Sequence, residues 1–176
     1  MLIKTIFAGF GGQGVLSMGL NLAQAAMLEG KEVTYLPSYG AEVRGGTANC
    51  TVAISDEEIA SPVASSPDFI IAMNQPSLIR FQNYIQSGGL FFVNSSEVKT
   101  EISRGDIDLI EVPASGIAEE MNSPKSANMV MLGAFIKKSK LVSLDSLIEG
   151  LEKTFKEKPK VKEANKKVLQ AGYELF

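Results

Sequence analysis

The sequence feature that most constrains the fold is a glycine-rich turn near the start of the chain. Residues 9–14 read Gly-Phe-Gly-Gly-Gln-Gly and follow an apolar run from Leu2 to Ala8, which is typical of a buried strand. After the turn, apolar residues recur at helical spacing up to Gly30. A strand, a glycine turn and a helix in this order predict the first unit of an α/β fold.

The rest of the chain continues this alternation of strands and helices. Further strands are predicted at 33–36, 47–54, 69–73, 90–93 and 109–112, and helices after Pro76 and at 114–121, 127–139, 144–155 and 161–174. The second strand is predicted to break at Pro37, so that Pro37 to Gly46 forms a loop. We therefore predict a Rossmann-like, open, mostly parallel sheet with helices on both faces, in a single domain of residues 1–176.

Charge and composition exclude several classes of function. The net charge of −3 lacks the basic character of most nucleic-acid-binding proteins, so no nucleic-acid partner is expected. The chain has no histidine and one cysteine, Cys50, which rules out histidine triads, internal disulfides and a self-contained iron–sulfur cluster, and no metal site is expected. No apolar stretch approaches the roughly 20 residues of a membrane helix, and the N-terminus lacks signal-peptide features. These observations predict a cytoplasmic protein without a membrane partner.

The glycine turn matches G-x-G-x-x-G and lies between a predicted strand and a predicted helix. Its glycines are Gly9, Gly11, Gly12 and Gly14. Glycines allow a tight turn, and the free N–H groups at the start of the helix favour an anion such as a phosphate. The alternative is that the glycines serve only to pack the helix closely on the sheet.

Two nucleotide-binding motifs resemble this turn, and the sequence departs from both. Val15 and Leu16 stand where a Walker A motif requires Lys and Ser or Thr, which argues against nucleoside triphosphate hydrolysis. An NAD-binding fold would place an acidic residue at the end of the second strand, where this chain has Leu36, Pro37 and Ser38. The turn therefore predicts an anion site without specifying a nucleotide.

Polar residues follow several predicted strands, and one loop carries opposite charges. Tyr39, Asn74 and Asn94 lie at strand ends, which meet at the ligand-binding edge of a parallel sheet. Between Tyr39 and Gly46, the residues Glu42 and Arg44 project to the same side if the loop is extended. Arg44 could clamp a phosphate or a carboxylate of a partner; the alternative is a solvated surface pair of little energetic weight.

Several of these motifs together resemble a known family. The motifs are Gly9 to Gly14, Tyr39 to Gly46 running into Thr47-Ala48-Asn49-Cys50, Asn74-Gln75-Pro76-Ser77, and Asn128 with Leu132-Gly133-Ala134. In this order and spacing, the chain resembles the gamma subunit of 2-oxoacid:ferredoxin oxidoreductases over most of its length. The stretch from Glu42 to Cys50 and the Asn-Gln-Pro-Ser motif look most like the 2-oxoglutarate branch.

The resemblance implies a subunit of a multi-chain enzyme that oxidatively decarboxylates a 2-oxoacid to an acyl-CoA and reduces ferredoxin. In that family thiamine diphosphate lies on the alpha and beta subunits, and iron–sulfur clusters lie on beta, delta or equivalent chains. The gamma domain contributes to coenzyme A binding and assembly and is not catalytic alone. The residues implied in coenzyme A binding here are Gly9, Gly11, Gly12, Gln13, Gly14, Tyr39, Glu42, Arg44, Gly45, Asn74, Asn94 and Asn128.

Two other interpretations stay open from the residues. One is a stand-alone, Rossmann-like nucleotide-binding or regulatory module; the other is a structural spacer whose glycine turn is occupied by a partner's chain. The C-terminal region is also rich in lysine, and it could meet the phosphates of coenzyme A or a partner. Since glutamates accompany these lysines, we interpret the region as a solvated helix face.

Overall fold

Six strands and six α-helices are found in the computed structural model, which describes residues 1–40, 46–99, 102, 104–154 and 156–176. The strands are β1 (Leu2–Phe10), β2 (Glu32–Tyr39), β3 (Thr47–Ser55), β4 (Phe69–Ala72), β5 (Leu90–Asn94) and β6 (Asp108–Val112). The helices are α1 (Val15–Leu28), α2 (Gln75–Phe81), α3 (Ala114–Glu120), α4 (Ala127–Ser139), α5 (Leu144–Thr154) and α6 (Pro159–Tyr173). A short 3-10 helix, Pro124–Ser126, precedes α4.

The six strands form one sheet in the order β2-β3-β1-β4-β5-β6. Strands β1, β4, β5 and β6 pair in parallel, whereas β3 is antiparallel to both of its neighbours, β1 and β2. Only residues 40–46 separate β2 from β3 along the chain, and a connection this short can join antiparallel strands. Because β3 reverses the chain, β2 again points in the direction of β1, and its end at Tyr39 lies at the edge of the sheet where β1 ends.

Helices cover the two faces of the sheet unequally. On one face, α1, α3, α4, α5 and α6 pack around a core in which the Phe135 ring makes edge-on contacts with Phe7, Phe69 and Phe92 at 5.3–5.7 Å between ring centres. On the other face, Leu78 and Phe81 of α2 pack against β1, β4 and β5. The predicted α/β sheet with helices on both faces is therefore confirmed.

The predicted end of β2 is wrong. The sequence predicts a break at Pro37, but β2 continues through Pro37, which pairs with Cys50, to Tyr39. This is possible because β2 is an edge strand with β3 as its neighbour, and a proline at an edge leaves the rest of the sheet intact. The other edge strand, β6, exposes Asp108 and Glu111.

Helices α4 and α6 pack with their backbones in close contact. A Cβ atom added at Gly133 of α4 would overlap the carbonyl group of Leu169, and one added at Gly172 of α6 would overlap that of Val130. Glycine at both positions is therefore required by the approach of the two helices. This contact fixes α6 against α4 along one face of the sheet.

Candidate functional site

The glycine loop, residues 9–14, presents the uncapped start of α1. Gly14 is the residue before the helix, its φ is 71°, and no side-chain cap hydrogen bond is made there by a described residue. The first turn of α1 carries no acidic residue. Since the first N–H groups of a helix lack partners within the helix, this end offers donors and positive partial charge to an anion.

A contact between Gly14 and Asn128 fixes the position of this helix start. The Asn128 side chain, which is buried, donates a hydrogen bond from Nδ2 to the Gly14 carbonyl oxygen at 3.3 Å. A Cβ atom at Gly14 would overlap the Asn128 side-chain amide. Glycine is therefore required at position 14 for two reasons: its backbone is left-handed, and α4 approaches it too closely for a side chain.

Gln13 and Asn74 close the crevice between the ends of β1 and β4. Gln13 Oε1 accepts hydrogen bonds from the Phe10 N–H at 2.7 Å and from Asn74 Nδ2 at 2.9 Å, and Gln13 Nε2 donates to the Met73 carbonyl oxygen at 3.3 Å. Asn74 Oδ1 accepts from the Ser77 N–H at 2.9 Å and so caps α2. Because α1 and α2 lie on opposite faces, this is the switch point where ligands of such sheets bind, and here protein side chains bridge it.

A pocket of about 470 Å³ lies beside the glycine loop, on the side of β2 and β3. Its lining, which is largely apolar, comprises Phe10, Gly11, Gly12, Gly14, Val15, Leu16, Tyr39, Gly40 and Ala48. Tyr39, one of the predicted site residues, is 72% exposed at its rim. The structure thus brings Tyr39 and the glycine loop together, as predicted from the shared edge of the sheet.

Three predicted site residues, Glu42, Arg44 and Gly45, lie outside the residues that the structure describes. The described residues on either side of them reach the glycine loop. Gly40 lines the pocket, and the Gly46 carbonyl oxygen accepts a hydrogen bond from the Gly11 N–H at 2.8 Å.

Asn94 lies apart from the glycine loop, at the end of β5. It is 0% exposed, and its side chain bonds to Ser115 twice, through Nδ2 to the hydroxyl at 2.9 Å and through Oδ1 from the N–H at 3.3 Å. A polar cleft between the glycine loop and α3 carries Glu97, Glu119 and Lys125. Its two carboxylates disfavour a phosphate in this cleft.

Cys50 packs in the core between β3 and α1. It is fully buried, and burial raises the pKa of its thiol to about 12. An iron–sulfur cluster requires several thiolates, and this sequence has one thiol, which is held protonated in the core. Among the described residues, no group of three or more potential metal ligands occurs, and no helix is both long and apolar enough to cross a bilayer.

The exposed side of α1 carries apolar residues. The helix contains no charged residue, and Leu20 and Met27 are 42% and 64% exposed. The core side of α1 is formed by Val15, Met18, Leu22 and Ala26 instead. Apolar residues occur on both faces of this helix, so their spacing does not show which face is buried.

A sequence model of the family described as pyruvate ferredoxin/flavodoxin oxidoreductase matches residues 4–175. The chain belongs to this family. The family resemblance predicted from the glycine, Glu-Val-Arg and Asn-Gln-Pro-Ser motifs is confirmed.

Two curated relatives of this oxidoreductase family differ in their named substrates. Ketoisovalerate oxidoreductase subunit VorA of Methanothermobacter thermautotrophicus is 42% identical over 98% of this chain and 36% of its own length. 2-Oxoglutarate synthase subunit KorC of Methanothermobacter marburgensis is 36% identical over 96% of this chain and 94% of its own length. The chain thus spans about a third of VorA but nearly all of KorC.

The fold also matches a solved structure of the family. It is that of 2-oxoglutarate:ferredoxin oxidoreductase from Magnetococcus marinus with 2-oxoglutarate, coenzyme A and succinyl-CoA bound. The TM-score is 0.91 at 28% identity, over 99% of this chain and 31% of that one. The sheet and helices described above therefore match about a third of that structure, at a TM-score that shows the same fold.

Proposed function

We propose that this chain is the gamma-type domain, residues 1–176, of a 2-oxoacid:ferredoxin oxidoreductase and contributes to coenzyme A binding and to assembly. The family match over residues 4–175, with KorC aligned over 94% of its own length, carries this proposal. The reaction would convert a 2-oxoacid to an acyl-CoA with reduction of ferredoxin. Thiamine diphosphate and the iron–sulfur clusters would lie on alpha, beta and delta partner subunits, since this chain lacks the ligands for a cluster.

The glycine loop is the part of the chain best suited to the phosphates of coenzyme A. It combines the uncapped start of α1 with an adjoining pocket and a first helical turn free of acidic residues. Gly9, Gly11, Gly12 and Gly14 would form the backbone of this site, and Tyr39 would contact the ligand at the rim. Glu42, Arg44 and Gly45 would complete the site, because Gly40 and Gly46 on either side of them contact the pocket and the glycine loop.

The amide side chains would support the site through internal hydrogen bonds. Gln13, Asn74 and Asn128 hold the loop and the neighbouring helices together, so we propose that they support the coenzyme A site through these contacts. Asn94 would order the start of α3 in the same way. The rival interpretation as a stand-alone module is less well supported, because no relative described above is named as one.

A charge placed in the loop tests the coenzyme A site. Gly12 has a φ of 101°, and a Cβ atom there meets nothing within 4 Å, so a side chain would point into open space. We compare Gly12→Asp with Gly12→Asn in the reconstituted complex, because the two side chains have the same size and similar tolerance of positive φ. We expect Gly12→Asp to raise the KM for coenzyme A at least tenfold over Gly12→Asn, because its carboxylate repels the phosphates.

The control for this test is decarboxylation of the 2-oxoacid measured without coenzyme A. We expect its rate to be the same for both variants, since the loop would bind only coenzyme A. Equal KM values for coenzyme A in two assembled complexes would remove the glycine loop from the coenzyme A site.

For the 2-oxoacid, we propose 2-oxoglutarate on the basis of the motifs and of full-length similarity to KorC. Ketoisovalerate is the second candidate, because VorA has the higher identity, 42%. Ferredoxin reduction by the purified complex with 2-oxoglutarate, ketoisovalerate and pyruvate decides between them. A kcat/KM at least tenfold higher for either of the other two acids would overturn the choice of 2-oxoglutarate.

A further inference from the structure

An exposed apolar surface, which we call the α1–β2 surface, adjoins the glycine loop. It is formed by Leu16, Leu20 and Met27 of α1 and by Pro37 and Tyr39 of β2. Leu16 is partly exposed, and the other four residues are exposed. Because Leu16 and Tyr39 also line the pocket beside the loop, the surface begins at the candidate site and continues along α1.

The two elements of this surface are held side by side. The three residues of α1 follow one another at spacings of four and seven, which places them on one side of the helix. Tyr35 lies two and four residues before Pro37 and Tyr39, so the three share one face of β2. The Tyr35 hydroxyl donates a hydrogen bond to the Leu16 carbonyl oxygen at 3.2 Å. This face of β2 is therefore the face that lies beside α1.

The segments that build this end of the molecule carry no charge. Residues 5–28, 33–40 and 46–55 contain no Asp, Glu, Lys or Arg, although these residues make up 21% of the chain. They form all of α1 and β3 and most of β1 and β2. Burial explains the lack of charge on the core side of α1 but not on its exposed side. Depletion of charge together with exposed tyrosine and methionine is typical of the centre of a protein interface.

Exposed apolar residues elsewhere have charged neighbours. Ile79 of α2 is 56% exposed and is followed by Arg80. Val161 of α6 has Lys160 and Lys162 beside it in the chain. Single apolar residues among charged ones are normal on a surface that faces water. The α1–β2 surface lacks such charges, which indicates that another protein covers it.

The position of the α1–β2 surface indicates which protein that is. In the proposed function, coenzyme A at the glycine loop has to reach thiamine diphosphate on another subunit, so that subunit must adjoin the loop. The α1–β2 surface is continuous with the pocket of the loop through Leu16 and Tyr39. A second copy of this chain on the same surface would instead place a glycine loop where the thiamine diphosphate subunit is needed.

The lengths of the relatives agree with a lasting contact of this kind. This chain aligns with 94% of KorC but with 36% of VorA and 31% of the Magnetococcus marinus chain. The same fold thus occurs both as nearly a whole chain and as a third of a longer one. A domain joined to a longer chain stays next to the rest of it, and a separate chain needs a surface that keeps it there.

We propose that the α1–β2 surface docks on the subunit that carries thiamine diphosphate, and that this subunit meets it with an uncharged, apolar surface. The inference rests on the proposed function and adds to it the side by which the chain binds. A charge introduced on this surface would be buried without a partner in the complex but would stay in water in the isolated chain. It should therefore weaken assembly without weakening the fold.

Binding of the purified full-length chain to the remaining subunits, expressed together without it, tests the proposal in analytical ultracentrifugation. The double change of Leu20→Lys and Met27→Lys should raise the Kd for these subunits at least twentyfold. The unfolding temperature of the isolated variant should change by less than about 2 °C. Ile79→Lys, at an exposed apolar position of a helix on the other face of the sheet, is the matched control and should change the Kd less than twofold.

A photo-cross-linker identifies the protein that covers the surface. Cys50 is the only cysteine of the chain and is fully buried, so benzophenone maleimide attaches to a single introduced thiol. On the Met27→Cys variant in the assembled complex, we expect cross-links to the thiamine diphosphate subunit. Cross-links to a second copy of this chain, or to any other subunit, would overturn the proposal.

The docking surface and the proposed function can fail separately. An unchanged Kd for the double variant would overturn the docking surface, while a raised KM for coenzyme A in Gly12→Asp would still support the proposed function. A wild-type chain that binds none of the remaining subunits would overturn the proposed function itself. Loss of assembly in the double variant, with equal KM values in Gly12→Asp and Gly12→Asn, would support the docking surface and remove coenzyme A from the loop.

Discussion

Helices α1 and α6 both lie on the same face of the sheet, yet they are built from opposite kinds of residue. Helix α1 has no charged residue in 14 positions, and its exposed side includes Leu20 and Met27. Helix α6 is charged along its exposed side, with Lys160, Lys162, Glu163, Lys166 and Lys167. Both helices begin without a side-chain cap, so their starts can both favour anions.

This difference in composition indicates different roles for the exposed sides of the two helices. The start of α1 attracts anions through backbone groups alone, and its apolar side suits contact with another protein. The start of α6 adds the charge of Lys160, and its charged side suits water. We therefore expect substitutions on the exposed side of α1 to affect assembly, and those on the exposed, charged side of α6 to have small effects.

The largest effect on stability is expected at the start of α1. Gly14→Ala combines a left-handed backbone with overlap of the Asn128 side chain, so it should lower the free energy of unfolding by about 2–4 kcal/mol. Gly12→Ala, which has open space around it, should lose only about 1–2 kcal/mol. At the start of α6, Pro159→Ala should lose less than about 1 kcal/mol. Urea denaturation measures all three, and equal losses would contradict the contrast between the helix starts.

A second effect is expected on self-association. The isolated chain should bind hydrophobic dyes or self-associate through the apolar side of α1. The double change of Leu20→Lys and Met27→Lys should reduce dimer formation in sedimentation experiments while altering unfolding by less than about 0.5 kcal/mol. Val161→Gln, which removes an exposed apolar residue of α6, is the control and should leave association unchanged. A monomeric wild-type chain that binds no dye would show that α1 needs no partner.

The smallest effect is expected on the charged side of α6. Lys167 pairs with Glu163 one turn away at 3.9 Å, and both side chains are largely exposed. Lys167→Gln should therefore change the free energy of unfolding by less than about 0.5 kcal/mol, with a difference that disappears in high salt. A loss above about 1 kcal/mol at low salt would mean that this side of α6 is not simply solvated.

The order and type of the elements follow from the sequence because their patterns are local. Apolar runs such as Leu90 to Val93, and the helix after Asn74 and Pro76, are found as predicted. The exception at Pro37 arises because an edge strand tolerates a proline, and the order of strands in a sheet is not visible in the sequence of one strand. In β3, burial alternates in the first part, where Cys50 and Val52 are buried and Asn49 and Thr51 are partly exposed, whereas Ala53 and Ser55 are buried as well.

The candidate site is less accessible to prediction because it depends on contacts between distant residues. The polar character of Gln13, Asn74 and Asn94 is visible in the sequence, but their internal hydrogen bonds are not. The groove lined by Lys125, Lys160 and Asn165 is not predicted, for the same reason. Lys125 and Lys160 are brought together only by the packing of α4 on α6, and Lys160 alone reads as part of a solvated face.

The two edge strands of the sheet have a consequence for how this protein can polymerise. Prolines and charged side chains on edge strands hinder pairing with strands of other molecules, and here β2 carries Pro37 while β6 exposes Asp108 and Glu111. A chain with an apolar helix on its surface would otherwise risk forming extended aggregates through its sheet. Extension of the sheet by strands of other molecules is therefore disfavoured at both edges. Contacts between helices then remain as the way for this chain to form a finite assembly.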